Sequence, residues 1–233
     1  MYSNGFHKKY MINICPSIIC ADFLNIKDEL IDLEKNNIKI LHIDIMDGNF
    51  VQQITIGQEF VKQCRKETKM FFDLHLMISN PEKHIESFIN AGANSITFHY
   101  EATNNKHIEI LQQIRECKME CGIVLQPDTN IEVLKPIFDK IIPDKVLIMS
   151  VVAGKSGQKF IENSIEKVKN LDNWLKKEKI RDKVKIQVDG GINLETAKLV
   201  KDYVDEIVVG SALFSKTGEE RKEFISKLTK IIA

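Results

Sequence analysis

The chain has 233 residues, of which 43% are hydrophobic and 28% are charged, and 33 basic side chains balance 33 acidic ones. This balance lacks the basic excess of a typical nucleic-acid-binding protein. No apolar run approaches the roughly 20 residues that a membrane helix needs. The five cysteines form no C-x-x-C pair, which favours reduced thiols. We therefore expect a cytoplasmic protein without a nucleic-acid or membrane partner.

The N-terminal residues 1–10 are mainly polar and lack the apolar core of a signal peptide, so we predict a tail there. From residue 11 to residue 233, short runs rich in Ile and Val alternate with stretches of helical character. The predicted strands lie, in chain order, in MINICPSI, IKILHIDIM, MFFDLHLMI, SITFHYE, CGIVLQ, KVLIMSVV, VKIQVDG and EIVVGSALF.

Three of the intervening segments show clear helix signals. The segment NPEKHIESFINAGA has Asn80 as an N-cap before Pro81 and ends at Gly92, a typical C-terminal cap. A second helix, NLETAKLVKDY, is predicted to start at Asn193, and its apolar residues recur at helical spacing. The third, FIENSIEKVKNLDNWLKKEK, carries lysines near its end, where they suit the helix dipole.

Eight β–α units of about 29 residues each indicate a single-domain (β/α)8 TIM barrel over residues 11–233, a fold that typically needs ~250 residues. A doubly wound open sheet is the competing architecture. That fold usually has fewer strands and a glycine-rich first turn, and the chain contains no G-x-G-x-x-G. Linker-like and low-complexity stretches are also absent from the sequence, which favours one domain.

Polar side chains collect at the predicted strand ends, where such barrels carry their function. Ser17 closes the first strand, His42 and Asp44 lie late in the second, His75 lies late in the third, and Asp189 ends the seventh. Residues two apart on a strand face the same side. Two imidazoles and two carboxylates suit Zn²⁺, Fe²⁺, Co²⁺ or Mn²⁺. A buried His–Asp pair taken alone is more often structural, and this alternative stays open.

Glycine-containing segments follow the last three predicted strands: AGKSGQ after the sixth, DGGI after the seventh and GSALF after the eighth. Glycines let backbone N–H groups turn toward an anion, and a helix N-terminus adds its dipole. Barrels often bind phosphate after strands seven and eight. These segments therefore predict a phosphate site beside the metal site.

The motifs PSIICADF, LHIDIMDGNFV, DLHLMISNPE, ITFHYEA, LIMSV, GQKF, VDGGI and GSALF occur in an order and spacing that closely resemble the ribulose-phosphate 3-epimerase family, from about Ile14 to Phe214. The resemblance implies a ribulose-phosphate-binding type of barrel and an isomerase of the pentose phosphate pathway. Its reaction would interconvert D-ribulose 5-phosphate and D-xylulose 5-phosphate by metal-assisted, two-base proton transfer through an enediolate. It also implies a homo-oligomer, at least a dimer.

Carried over residue by residue, the resemblance implies His42, Asp44, His75 and Asp189 as ligands of one divalent ion per subunit, zinc or iron, with cobalt or manganese as alternatives. It implies Asp44 and Asp189 as the acid/base pair. The implied substrate contacts are Ser17, Met46, His75, Met77, Gly154, Lys155, Ser156, Gly157, Gly190, Gly191, Gly210 and Ser211.

The loop AGKSGQ departs from the family pattern P-G-F-G-G-Q. Lys155 and Ser156 replace an aromatic residue and a glycine, so the closed conformation of this loop is in question, and Lys155 is a candidate phosphate contact.

Three alternative functions remain at this level. One is epimerisation of another ketose phosphate, which pocket size would decide. Another is a phosphate-barrel decarboxylase, but Met46 stands where the Asp-x-Lys-x-x-Asp motif of those enzymes needs lysine. The third is a catalytically silent sugar-phosphate-binding protein, against which the presence of both Asp44 and Asp189 argues.

Overall fold

The structure is a computed structural model that describes residues 12–233, so the predicted tail and its boundary at residue 11 lie outside the described residues. The eight predicted strands are all present, as β1 (Asn13–Pro16), β2 (Ile40–Met46), β3 (Phe71–Met77), β4 (Ser95–His99), β5 (Glu120–Leu125), β6 (Lys145–Met149), β7 (Lys185–Asp189) and β8 (Glu206–Val209). The helices are α1 (Ile26–Lys35), α2 (Gln58–Glu67), α3 (Ile85–Ala91), α4 (His107–Glu116), α5 (Lys135–Phe138), α6 (Asn163–Lys177), α7 (Thr196–Val200), α8 (Ser211–Phe214) and α9 (Gly218–Ile232).

The strands form one parallel sheet in the order β1-β8-β7-β6-β5-β4-β3-β2. The two strands at the ends of this order, β1 and β2, approach each other through a parallel bridge between Ser17 and His42. The sheet is therefore a nearly closed barrel surrounded by helices, which confirms the predicted (β/α)8 fold and excludes a doubly wound open sheet.

The alternation of side chains along each strand separates the core from the barrel interior. On β2, Leu41, Ile43 and Ile45 belong to the large apolar core that the strands share with the helices. Each buried aliphatic side chain of this kind contributes about 1.5–3 kcal/mol. His42 and Asp44 occupy the alternate positions and point into the barrel, as the period of two requires.

The helix predicted to start at Asn80 begins later than expected. Asn80 adopts a left-handed conformation with φ of 53°, and its side chain makes no capping hydrogen bond. The backbone N–H of Lys83 donates to the carbonyl of Asn80, an i→i+3 bond, so Pro81–Lys83 is a 3₁₀ helix and α3 starts at Ile85. The predicted end is correct, because Gly92 caps α3 with φ of 107°.

The other two helix predictions agree with the structure to within a few residues. Helix α6 lies inside its predicted segment. Before α7, the side-chain oxygen of Asn193 accepts the backbone N–H groups of Glu195 and Thr196 at 2.8 and 3.1 Å. None of the helices found between residues 12 and 233 is long and apolar enough to cross a membrane.

Candidate active site

The C-terminal ends of β1, β2, β3 and β7 bring together the five side chains singled out at the predicted strand ends. In-register pairing of β2 with β3 places Asp44 opposite His75, and Ser17 lies opposite His42 where β1 approaches β2. The Ser17 hydroxyl donates to Asp44 Oδ2 at 2.5 Å. The parallel strands thus build one polar cluster at the mouth of the barrel, where barrels of this type carry their function.

Four of these side chains form a cluster that could hold a metal ion. One ligand atom from each of His42, Asp44, His75 and Asp189 lies within 4.8 Å of those of the other three. His75 Nδ1 is 3.0 Å from Asp44 Oδ1 and 3.6 Å from Asp189 Oδ2. The Nε2 atom of His42 is 3.4 Å and 3.9 Å from the same two oxygens.

The hydrogen bonds of His42 leave one of its nitrogens for this cluster. Its Nδ1 lies 2.9 Å from Asp73 Oδ2, and a carboxylate accepts, so the Nδ1–H group donates to it. Its Nε2 is buried and has no hydrogen-bond partner. A buried nitrogen that faces carboxylate oxygens without a hydrogen bond fits a metal ligand.

The ring of His75 is oriented by a second relay. Its Nε2 lies 2.9 Å from Nε2 of His99, so one of these two nitrogens carries the proton. The other ring nitrogen of His99 lies 3.3 Å from Glu101 Oε2, to which it donates. We therefore assign His75 Nε2–H as donor to His99, which leaves a lone pair on His75 Nδ1 facing Asp44.

The resulting donor set fits a divalent cation. Two imidazole nitrogens and two carboxylates converge on one point, and each imidazole is held from behind by a hydrogen bond, as in many metal sites. Burial opposes a charge on His42, but Asp44 and Asp73 outweigh it and raise the pKa of His42 to about 10. The cluster therefore attracts positive charge strongly.

The two aspartates of the cluster differ in proton affinity. Burial would raise the pKa of Asp44, but His42 and His75 hold it well below its usual range. Burial and the negative charge of Asp44 raise the pKa of Asp189 to about 6. Two carboxyl groups whose environments push their pKa values apart suit opposite roles in proton transfer.

One pocket lies directly above this cluster. The residues named from the sequence that line it are Ser17, Asp44, Met46, Met77, Gly154, Lys155, Ser156, Gly157, Asp189, Gly190, Gly191, Gly210 and Ser211. His42 and His75 are fully buried and are not part of its lining. His75 therefore lies behind the pocket surface, so its assignment as a substrate contact stays a prediction without support from the pocket lining.

The two glycines after β7 shape one wall of the pocket. Gly190 and Gly191 have φ of 122° and 64°, which L side chains rarely adopt. A Cβ atom on Gly191 would lie 2.6 Å from the backbone nitrogen of Phe160. Only glycine allows the chain to turn this tightly against its neighbour at the pocket wall.

The loop with the unusual sequence AGKSGQ follows β6, the neighbour of β7, and also lines the pocket. The Gln158 side-chain amide donates to the carbonyls of Val152 and Lys155 at 2.7 and 2.8 Å, which ties the two ends of the loop together. Gly154 and Gly157 have positive φ values of 102° and 74°. Lys155 is exposed at the edge of the pocket.

Several residues at the site were not predicted from the sequence. Asp73 was not proposed as a site residue. Met149 and Gln158 were not considered as pocket residues, although both line the pocket. The position of Met149 at the end of β6 is the same strand-end signal that identified the other residues. The relay through His99 and Glu101 depends on packing between β3 and β4.

Comparison with solved structures supports the fold alone. The crystal structure of KGPDC from Streptococcus mutans superposes with a TM-score of 0.67 at 12% sequence identity, with 95% of this chain and 97% of that chain covered. At such low identity the match confirms the barrel and says nothing about the reaction.

Sequence relatives define the class of protein. Ribulose-phosphate 3-epimerase of Bacillus subtilis (strain 168) is 40% identical over 219 residues, which cover 94% of this chain and 98% of the relative. The protein of Oryza sativa subsp. japonica called ribulose-phosphate 3-epimerase, cytoplasmic isoform, is 36% identical over 94% of this chain and 93% of its own length. With the barrel and its paired aspartates, these relatives make the chain an isomerase, a carbohydrate-phosphate epimerase. It belongs to the ribulose-phosphate 3 epimerase family, whose model matches residues 13–214.

Proposed function

We propose that this enzyme interconverts D-ribulose 5-phosphate and D-xylulose 5-phosphate and serves the pentose phosphate pathway. The observation that carries the proposal is the juxtaposition of Asp44 and Asp189, whose ligand oxygens lie within 4.8 Å of each other beside the pocket. They come from β2 and β7 and differ in proton affinity. Inversion of one carbon requires two such groups, one for each face of the substrate.

The reaction inverts the carbon next to a ketone, so a proton leaves from one face and a proton returns to the other. One aspartate accepts the first proton while the other donates the second, and the roles exchange in the reverse direction. Ser17 holds the Asp44 carboxylate in one orientation through its hydroxyl. Met46 and Met77 line the same pocket and offer polarizable apolar surface to the planar enediolate.

A divalent ion completes the proposed site, held by His42, Asp44, His75 and Asp189. When bound, it supplies positive charge for the oxygens on which negative charge develops. The nitrogen and oxygen donors favour Zn²⁺ or Fe²⁺, with Co²⁺ or Mn²⁺ as alternatives.

The substrate phosphate is proposed to lie at the glycine-lined side of the pocket. Gly190, Gly191, Gly210 and Ser211 surround that side, and Lys155 stands at its rim. Backbone N–H groups in such turns bind anions without a side-chain charge. Lys155 would add one positive charge at the entrance.

Two further parts of the proposal concern the cell and the assembly. We place the enzyme in the cytoplasm, as the name of the rice relative says of that protein. We also propose a homo-oligomer, a dimer or larger, which the family resemblance favours. Fractionation of the source cells tests the first point, and light scattering of the purified protein tests the second.

A coupled assay that starts from ribulose 5-phosphate tests the function directly. We expect production of xylulose 5-phosphate, loss of activity after chelation, and recovery when Zn²⁺, Fe²⁺, Co²⁺ or Mn²⁺ is added. Elemental analysis should show one divalent ion per chain. An inactive wild-type enzyme with its ion in place contradicts the proposed reaction, and full activity of an ion-free enzyme contradicts the role of the metal.

A further inference from the structure

A second polar layer fills the barrel interior beside the ligand cluster. It consists of Asp73 on β3, Lys145 on β6, Gln187 on β7 and Glu206 on β8, and all four are fully buried. Interior layers of such barrels are usually built from Val, Ile and Leu. Burying a lysine and two carboxylates costs several kcal/mol per ion unless they are paired and hydrogen-bonded.

The four side chains satisfy that condition through short contacts. Lys145 Nζ lies 2.7 Å from Asp73 Oδ1 and 2.7 Å from Glu206 Oε2. The side-chain amide of Gln187 donates to Asp73 Oδ2 at 2.7 Å and to Glu206 Oε2 at 2.9 Å. Burial opposes the charge of Lys145, but Asp73 and Glu206 raise its pKa above the ordinary value.

Asp73 connects this layer to the ligand cluster. The Lys145 ammonium occupies its Oδ1, while its Oδ2 accepts hydrogen bonds from Gln187 and from His42 Nδ1. With both oxygens engaged, the carboxylate has a fixed orientation. It can only accept a hydrogen bond, so His42 keeps its proton on Nδ1 and directs Nε2 toward Asp44.

We propose that Lys145 is a positioning residue for the metal centre. It fixes the Asp73 carboxylate, and Asp73 in turn fixes the His42 ring with Nε2 available to a divalent ion. Lys145 makes no contact with the pocket and acts only through Asp73. The inference rests on the proposed function in one respect, namely that His42 is a metal ligand.

The variant Asp73→Asn tests this relay because an amide has one oxygen and one NH₂ group. The Lys145 ammonium can only donate, so it needs the amide oxygen as its acceptor, and the NH₂ group is then turned toward His42 Nδ1 and Gln187. That nitrogen then becomes an acceptor, and the proton moves to Nε2, where it opposes metal binding. We expect Co²⁺ affinity, titrated by the visible absorption of the bound ion, to fall about 10- to 100-fold.

The variant Lys145→Met, alone and combined with Asp73→Asn, distinguishes a positioning role of Lys145 from a general loss of structure. Lys145→Met alone should weaken Co²⁺ binding roughly tenfold, because Asp73 loses the partner that fixes it. In the double variant with Asp73→Asn, the amide oxygen is free to turn toward His42. This double variant should therefore bind Co²⁺ more tightly than Asp73→Asn alone, whereas two independent structural defects would add.

Arg221→Met serves as the matched control. Arg221 is also a buried cation between two carboxylates, Glu29 and Asp32, but it joins α9 to α1 outside the barrel interior. The variant Arg221→Met should lower the free energy of unfolding and leave Co²⁺ affinity within about twofold of wild type, as expected for an independent site. If Lys145→Met does not fold, Lys145→Met/Glu206→Gln replaces it, since that pair of changes conserves the net charge.

The outcomes separate the inference from the proposed function. If wild type binds one Co²⁺ per chain and Asp73→Asn binds it equally well, the inference is wrong and the proposed function stands. The same conclusion follows if the double variant is the weakest binder of all. If wild type binds no ion in this cluster, the inference also fails, and the coupled assay on ribulose 5-phosphate then decides separately whether the chain is the proposed epimerase.

Discussion

Ser17 and Asp44 are joined by a hydrogen bond of 2.5 Å between the hydroxyl of one and the carboxylate of the other. Ser17 also forms the backbone bridge through which β1 approaches β2. The same residue therefore takes part in closing the barrel and in orienting a carboxylate of the candidate active site. This double role makes Ser17 the natural place to measure what the site contributes to stability.

We expect Ser17→Ala to lower the free energy of unfolding by about 1.5–3 kcal/mol, because it removes a buried hydrogen bond to a charged group. Ser95→Ala is the matched control. The hydroxyl of Ser95 is also buried on a barrel strand but has no hydrogen-bond partner, so its removal should be neutral. Urea unfolding of the ion-free proteins provides the measurement. Equal stability of the two variants would contradict the assigned hydrogen bond.

The pH dependence of stability should show the effect of His99. Burial lowers the pKa of His99 to about 4, below the value of about 6.5 in an unfolded chain. Between these two values the unfolded chain binds a proton that the folded protein does not. Stability from this group is therefore complete above pH 6.5 and is lost as the pH falls toward 4, by up to about 3 kcal/mol.

The comparison of wild type with His99→Gln isolates this effect. Asp189 contributes in the opposite direction, since its raised pKa of about 6 lets the folded protein bind a proton first. The difference in unfolding free energy between the two proteins cancels that contribution. It should fall as the pH is lowered from 7 to 4 in the presence of a chelator. A pH-independent difference would show that folding leaves the pKa of His99 unchanged.

Lys155→Ala tests the unusual loop. If Lys155 faces the substrate phosphate, KM for ribulose 5-phosphate should rise with little change in kcat. An exposed charge pair is worth only ~0.2–1 kcal/mol, so the rise should reach about fivefold at most and shrink in high salt. Lys159→Ala, a change to an exposed lysine just beyond the same loop, should leave KM unchanged. An unaltered KM for Lys155→Ala at low salt removes Lys155 from the phosphate site.

The two-aspartate mechanism predicts different residual exchange in two variants. Asp44→Asn and Asp189→Asn should both lose epimerisation, because inversion needs a proton donor or acceptor on each face. In D₂O, one variant should still exchange the reactive hydrogen of ribulose 5-phosphate and the other that of xylulose 5-phosphate. NMR measures the deuterium incorporation, and metal content is checked in both. Exchange of the same epimer by both metal-replete variants rules out one aspartate per face.

The sequence was sufficient for the barrel and for the cluster of strand-end side chains. Alternating apolar runs and helices indicate the strands, and parallel strands bring their C-terminal ends together, so His42, Asp44, His75 and Asp189 meet as the pattern requires. The start of the short helix α3 was harder to predict from the sequence. An Asn followed by Pro can cap an α-helix, but here Asn80 is left-handed and a 3₁₀ helix follows it. The same sequence fits both starts.

The second polar layer beside the ligand cluster could not be predicted from the sequence. Lys145 is the first residue of β6, a position that is commonly exposed. Whether it meets Asp73 or solvent depends on how far each strand is shifted along its neighbours around the barrel. That shift is a property of the closed sheet, and no local pattern in one strand contains it.

The distribution of the cluster along the chain has a consequence for the evolution and engineering of this barrel. A cut between β4 and β5 leaves His42, Asp44 and His75 on the first half and Asp189 on the second. The glycines after β7 and the residues Gly210 and Ser211 also belong to the second half. Each half-barrel thus carries one of the two proposed acid/base aspartates, and only the first carries imidazole groups of the cluster. Two separately expressed halves would regain proton transfer on both faces of the substrate only by reassociating. Epimerase activity would therefore measure their association.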